Sequence, residues 1–106
     1  MKRVFIVNRS SHDFNDAKRF GELVFLSDGS VNRYNASKMY RMFQESIESS
    51  KKTDYILLTS MTIMCSIVCG MFANKHGRLN LLLYKSDENG ARYVERTTVF
   101  RRKEKK

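Results

Sequence analysis

Four short apolar runs, separated by stretches of helical pattern, constrain the fold of this chain more than any other feature. The runs occupy positions 3–8, 22–26, 55–58 and 79–84. Short runs of this kind, rich in branched and aromatic residues, are typical of strands that are covered on both faces. A last strand is predicted at 92–100, where Val94, Thr98 and Phe100 alternate with Tyr93, Glu95 and Thr97. The predicted order is therefore β-α-β-α-β-α-β-β.

This order predicts a small three-layer α/β sandwich, either Rossmann-like or flavodoxin-like. Consecutive strand-helix-strand units require right-handed crossovers and a parallel sheet with helices on its faces. The dipeptide Asn89-Gly90 is a hairpin signal, so the last strand should turn back on its neighbour. We expect a mostly parallel sheet of about four strands plus an antiparallel C-terminal edge strand.

Local signals predict the ends of the first two helices. Ser10 or the serine after it is expected to cap the first helix, and Gly21 to end it in the left-handed conformation. Asn35 is expected to cap the second helix, in which apolar residues recur at intervals of three and four. The second helix should therefore pack one face against the sheet.

The segment 55–74 carries no charge and is about as long as a bilayer is thick. Hydroxyl side chains interrupt it, and the apolar run 79–84 begins soon after Gly77. We interpret the segment as a strand followed by a buried helix, which Thr59 or Ser60 caps and Gly77 ends. No membrane partner is predicted.

Composition predicts one intracellular domain. With 106 residues, 42% of them hydrophobic, the chain can build a single core. The net charge is +9, and five bases and one acid lie in the last six residues, so we expect a domain at 1–100 and a basic tail at 101–106. Cys65 and Cys69 lie in an apolar stretch, which suits reduced thiols in the cytoplasm.

Ligands of open α/β sheets bind beyond the carboxyl ends of the strands, where loops and helix N-termini converge. The second and third predicted helices begin without an acidic residue, so an external anion could approach them. This favours a non-enzymatic binding module for a phosphate-bearing ligand, a nucleotide in the leading interpretation. The alternative to a ligand site is that Asn35 is an ordinary helix cap and that the basic side chains near it are solvated surface charges. The candidate ligand residues are Arg9, Ser10, Arg33, Tyr34, Asn35, Lys38, Thr59 and Ser60.

A second interpretation is an accessory protein that binds RNA or DNA through its basic C-terminal strand and tail. Tyr93 could add an aromatic surface to these bases. Charges on an edge strand also prevent unwanted strand pairing, so the pattern does not by itself require nucleic acid. The candidate residues are Arg92, Arg96, Arg101, Arg102 and Lys103.

A third interpretation is a small hydrolase or transferase centred on His12, which is the candidate catalytic residue because histidine exchanges protons near neutral pH. His12 and Asp13 are adjacent and point apart, so a partner such as Asp28 would have to come from another loop. No cofactor fingerprint and no metal-ligand spacing occurs in the sequence. A small domain of this kind could also form a homodimer.

Overall fold

A computed structural model describes residues 2–9, 12–28 and 34–100 of the chain. The order of elements follows the predicted one, except that the first helix is a short 3-10 helix. The elements are β1 (Arg3–Ile6), the 3-10 helix (Asn15–Arg19), β2 (Glu22–Phe25), α1 (Ala36–Glu48), β3 (Tyr55–Leu57), α2 (Thr62–His76), β4 (Arg78–Asp87) and β5 (Gly90–Val99).

The five strands form one mixed sheet in the order β2-β1-β3-β4-β5. β5 pairs antiparallel with β4 at the edge, as the hairpin signal predicts. The prediction of a mostly parallel sheet is wrong, because the antiparallel ladder contains ten residue pairs and the parallel ladders contain four, three and two. β4 and β5 are long because a hairpin satisfies backbone hydrogen bonds even where its side chains are exposed.

The direction of each crossover explains which face each helix covers. The connections from β2 to β3 and from β3 to β4 both progress toward the β5 edge, so right-handed crossovers place α1 and α2 on the same face. The connection from β1 to β2 runs the opposite way, and its 3-10 helix covers the other face. The sheet therefore has two α-helices on one face and only a short 3-10 helix on the other, and the predicted three-layer sandwich is not confirmed.

Two apolar clusters form the core, one on each face of the sheet. The first joins Phe43 of α1 and Phe72 of α2 to strand residues such as Phe5. The second packs Phe14 and Ala17 against β1, β3 and β5. Alternate residues of β1 divide between the two clusters, as the period of a strand requires.

The structure confirms two predicted helix ends and corrects three others. The Asn35 side chain caps α1 by accepting from the Lys38 N–H at 3.0 Å, and Gly77 ends α2 at φ 68°. The cap predicted at Thr59 or Ser60 is wrong, because α2 starts after Met61 without a side-chain cap. Thr59 Oγ1 instead accepts from the Met61 N–H at 3.4 Å.

Gly21 does not end a helix in the left-handed conformation, since only Gly77 and Gly90 have positive φ among the described residues. Gly21 instead lets its own backbone pass close to the backbone of Lys2. A Cβ at position 21 would lie 2.4 Å from the Lys2 carbonyl oxygen. The serine cap predicted for the first helix is also wrong, because the 3-10 helix starts at Asn15 and its N-cap position is Phe14, without a side-chain cap.

Buried polar side chains tie together the amino ends of β1, β3 and β4. The Asp54 carboxylate accepts from the backbone N–H groups of Arg3 and Lys51 at 2.9 and 2.8 Å. The Asn80 amide donates to the carbonyls of Lys52 and Asp54 at 2.7 and 2.8 Å. Its oxygen accepts from Arg78 Nε and Thr97 Oγ1.

In the part of the chain that the structure describes, every buried side-chain nitrogen and oxygen has a hydrogen-bond partner. Asn80, which interrupts an apolar run in the sequence, is therefore a connector between strands. No helix within the described ranges has both the length and the apolar character needed to cross a membrane.

His76 makes stability depend on pH. Burial, followed by the charge of Lys75, lowers the pKa of His76, and its Nε2 lies 2.8 Å from Ser50 Oγ. Ser50 donates its own proton to the Ile47 carbonyl, so the neutral ring donates to Ser50.

Because the pKa of His76 is lower in the folded protein, its contribution to stability is complete above the unfolded pKa of about 6.5 and is lost as pH falls toward the folded pKa. Urea unfolding at pH 7.5 and 5.5 should show this loss in the native protein. His76→Phe, which keeps a ring beside Phe72, should reduce the difference between the two pH values. An unchanged difference would contradict this role of His76.

Candidate functional site

The carboxyl ends of β1, β2 and β3 meet at one rim of the sheet. Ile6 pairs with Phe25 on one side and with Leu57 on the other, so the three strands end level. Asn8 follows β1, Ser27 follows β2, and the Asn8 amide donates to Ser27 Oγ at 2.8 Å. The predicted gathering of these loops, with Thr59 after β3, is what the structure shows.

Arg9 is held between the ends of β1 and β2. Its guanidinium lies 3.7 Å from the centre of the Phe25 ring and its Nε lies 3.5 Å from Asp28 Oδ2. Its backbone N–H donates to the Ser27 carbonyl at 2.8 Å. Asp28 is therefore an ion-pair partner of Arg9. In the catalytic interpretation, Asp28 is one example of a partner for His12.

A pocket of about 280 Å³ lies between the loop that follows β1 and the loop that follows β3. We call it the aromatic pocket. Its walls combine rings from the loop after β1 and from the β4–β5 hairpin with hydroxyl groups from the loop after β3. The lining residues are His12, Phe14, Leu58, Thr59, Ser60, Tyr84 and Tyr93.

His12 lies among three aromatic rings. The centroid of its imidazole is 5.5 Å from Phe14, 4.8 Å from Tyr84 and 6.4 Å from Tyr93, all in edge-to-face arrangements. Such arrangements stabilise aromatic clusters beyond the area that they bury. The geometry fixes His12 as part of the pocket wall, and none of the lining residues is a carboxylate.

Tyr93 joins the pocket to the edge of the sheet. Its ring is buried, and burial followed by the neighbouring Tyr84, Asp13 and Asp16 raises its pKa to about 12. The phenol therefore remains protonated at neutral pH and can donate a hydrogen bond.

The backbone of Tyr93 is anchored by the 3-10 helix. Asp16 accepts its N–H at 2.7 Å, and Arg19 donates to its carbonyl. The N–H of Tyr93 is also the main reason that the pKa of Asp16 is lowered, with a further contribution from Arg19. This clamp holds β5 against the pocket.

The loop after β3 brings hydroxyl groups and a helix N-terminus to the same rim. The Thr59 N–H donates to Cys65 Sγ at 3.4 Å, which folds the loop back on the first turns of α2. A second depression of about 410 Å³ runs along residues 60–64 and shares Ser60 with the aromatic pocket. The first turn of α2 contains no acidic residue, so its dipole is not offset there.

The other predicted ligand residues lie apart from the aromatic pocket or outside the described residues. Tyr34 is 85% exposed, and the Asn35 side chain is used as the cap of α1. Lys38 is exposed on α1. Ser10 and Arg33 lie outside the described residues. The structure therefore joins His12, Thr59 and Ser60 in one pocket and leaves Tyr34, Asn35 and Lys38 outside its lining.

The predicted nucleic-acid residues are described in part. Arg92 lies 3.7 Å from the Asp87 carboxylate, and Arg96 Nη1 donates to the Glu95 carbonyl at 2.7 Å. Only 2% of Tyr93 is exposed, so its ring is not available to stack on a base at the surface. Arg101, Arg102 and Lys103 lie outside the described residues, and nucleic-acid binding stays a prediction.

The two cysteines are free, and burial, with a smaller effect of Cys65, raises the pKa of Cys69 to about 11. Cys69 is therefore a protonated thiol at neutral pH and a poor nucleophile. Within the described ranges, no three His, Cys, Asp or Glu side chains are grouped as metal ligands.

Sequence reasoning missed Phe14, Tyr84 and Tyr93 as lining residues. The hairpin signal predicts strand direction alone. In the structure a two-residue loop between Asp87 and Gly90 sets the register that places Tyr84 opposite Tyr93. The shared position of these rings with His12 depends on tertiary packing.

The fold and the pocket define a small α/β protein with a recess at the carboxyl rim of a mixed five-stranded sheet. The chain belongs to the Phage Pam3 gp32-like protein family, whose sequence profile matches residues 2–98. Comparison with curated proteins and with solved structures finds no match. The family name states no activity, so the function is argued from the pocket.

Proposed function

We propose that this protein is a non-enzymatic binding module for a phosphate-bearing ligand, a nucleotide, and that the ligand binds in the aromatic pocket. The observation that carries the proposal is the position of the pocket. In the strand order β2-β1-β3-β4-β5, the connections that follow β1 and β3 run in opposite directions along the sheet and cross opposite faces. Open α/β sheets bind ligands at that point, beyond the carboxyl ends of the strands.

The rings of the pocket suit a nucleobase. Tyr84 lines the pocket and is 49% exposed, while Tyr93 and Phe14 line it as buried side chains. Stacking on an aromatic ring stabilises a bound base by roughly 1–3 kcal/mol. The volume of about 280 Å³ lies just below the usual range for drug-sized ligands, which favours a mononucleotide over a dinucleotide.

The phosphate is proposed to lie toward Ser60 and the first turn of α2. Free backbone N–H groups and the dipole of this helix favour an anion there. Thr59 and Ser60 add hydroxyl donors, and His12 adds an imidazole to the same lining. Arg9 lies on the same rim, and Ser10, Arg33 and Lys38 stay candidate ligand residues in this proposal.

Binding is proposed instead of catalysis because His12 is the only imidazole among the described lining residues and no carboxylate lies beside it there. General acid-base chemistry usually needs a second, differently tuned group in reach of the substrate. The described lining provides none.

Isothermal titration calorimetry with AMP, GMP, CMP and UMP tests the proposal. Tyr84→Ala should weaken binding by about tenfold or more, because a stacking surface is lost. Ser60→Asp should abolish binding, because it places a carboxylate where the phosphate is proposed to lie.

Tyr40→Ala is the matched control, since Tyr40 on α1 is also 49% exposed and lies outside the aromatic pocket. Its affinity should equal that of the native protein. Absence of heat with all four nucleotides, or equal loss in the Tyr84 and Tyr40 variants, would contradict the proposal.

A further inference from the structure

The amino-terminal half of one sheet face is not covered by the 3-10 helix. On that face, the apolar cluster around Phe14 and Ala17 occupies the half nearer the aromatic pocket. Beyond Tyr55 the facing side chains become polar and enclose a second pocket of about 140 Å³, which we call the polar pocket. Sheets of parallel strands are usually covered on both faces, so an uncovered polar region on one face is unusual. Its lining residues are Lys2, Thr53, Tyr55, Arg78, Asn80, Glu95 and Thr97.

The floor of the polar pocket is fixed in place. Asn80 is only 3% exposed, and its amide is held by the backbone carbonyls of two residues that precede β3. The Asn80 oxygen in turn receives Arg78 Nε at 3.1 Å and Thr97 Oγ1 at 3.2 Å. Asn80 therefore uses both of its own donors within the fold, and its part in the pocket is to orient Arg78.

The Glu95 carboxylate lies in the same lining as a buried tyrosine. The Tyr55 side chain is 7% exposed, and the neighbouring Glu95 carboxylate, followed by burial, raises the pKa of Tyr55 to about 12. The Tyr55 hydroxyl is therefore a donor at neutral pH. The Lys2 ammonium lies 5.7 Å from the centre of the same ring, on the side of β1.

The charges of the lining select a class of ligand. Lys2 and Arg78 would attract an anion, but a simple anion would also lie close to Glu95. A simple cation would lie close to Lys2 and Arg78. A small molecule that carries both charges can satisfy the three groups at once. The volume corresponds to roughly five water molecules of liquid, which limits the ligand to a few non-hydrogen atoms.

We propose that the polar pocket binds a small amino-acid-like zwitterion, with its carboxylate toward Lys2 and Arg78 and its ammonium group toward Glu95. The Arg78 guanidinium keeps donors beyond the Nε that Asn80 uses, and these can hold a carboxylate in a fork. The pocket lies at the amino ends of the strands, opposite the aromatic pocket. This inference is therefore independent of nucleotide binding.

Nuclear magnetic resonance titration of the full chain with L-alanine tests the proposal, with acetate and methylammonium as probes of one charge each. L-Alanine should shift the amides of Lys2, Asn80, Glu95 and Thr97 in a saturable way. Acetate and methylammonium should bind at least about tenfold more weakly, since each lacks one charge-assisted contact.

Glu95→Gln and Arg78→Gln should each weaken L-alanine binding by about tenfold or more. Arg96→Gln is the matched control, because Arg96 follows Glu95 on β5 and points to the other face. Glu95 is exposed, so its variant provides the test if Arg78→Gln does not fold. No saturable shift with L-alanine, or equal affinity for acetate, would overturn the proposal, and so would an Arg96 variant as weak as the Glu95 variant.

Discussion

Replacing Gly21 with alanine should destabilise the protein by about 2–4 kcal/mol. The added Cβ would lie 2.4 Å from the Lys2 carbonyl oxygen and 2.8 Å from the Lys2 carbonyl carbon, and both are backbone atoms that cannot rotate away. The same carbonyl accepts the Glu22 N–H at 3.0 Å where β1 and β2 begin to pair. Urea unfolding followed by circular dichroism measures the loss.

Gly70→Ala is the matched control for this variant. Gly70 lies inside α2, and a Cβ added there has nothing within 4 Å. Alanine should stabilise the helix by roughly 0.5–1 kcal/mol, because glycine loses more backbone entropy on folding. Equal effects of the two substitutions would contradict the contact assigned to Gly21.

Replacing Asn80 with leucine should cost about 2–4 kcal/mol, although leucine has a similar size and the neighbouring residues of β4 are leucines. The change leaves the carbonyls of Lys52 and Asp54 without the donor that now satisfies them. Buried polar groups that lose a partner cost more than the hydrogen bond itself contributes.

Asn74→Leu, at an exposed position of α2, should change the free energy of unfolding by less than about 0.5 kcal/mol. Unfolding curves of the two variants under the same conditions separate the polar network from a general effect of leucine. A small loss at Asn80 would show that the carbonyls find other partners.

The order of the elements was predictable because each one is encoded locally. The Asn35 cap, the Gly77 stop and the hairpin after β4 act within a few residues, and the structure confirms them, with residues 88–89 in the loop where the sequence predicts Asn89-Gly90. The predicted end of β4 at Tyr84 is three residues early, because β4 continues as an exposed hairpin strand to Asp87. Apolar runs mark burial, and exposed pairing leaves no such mark.

Of the candidate site, the sequence predicts only its position at the carboxyl ends of the strands. Parallel strands bring their carboxyl ends together, so Thr59 and Ser60 were placed correctly. The partners of Arg9 and the rings around His12 come from other elements, and no pattern along the chain specifies them. Gly21 shows the same limit, since its close contact is with Lys2 in another strand.

The central claim is that a nucleotide binds in the aromatic pocket, and a titration of isotope-labelled protein with AMP followed by nuclear magnetic resonance tests it most directly. Saturable shifts are expected at His12, Thr59, Ser60 and Tyr84, with none at Tyr40 and Met71 in the groove between α1 and α2. Shifts confined to that groove, or no saturable shift at millimolar AMP, would contradict the claim.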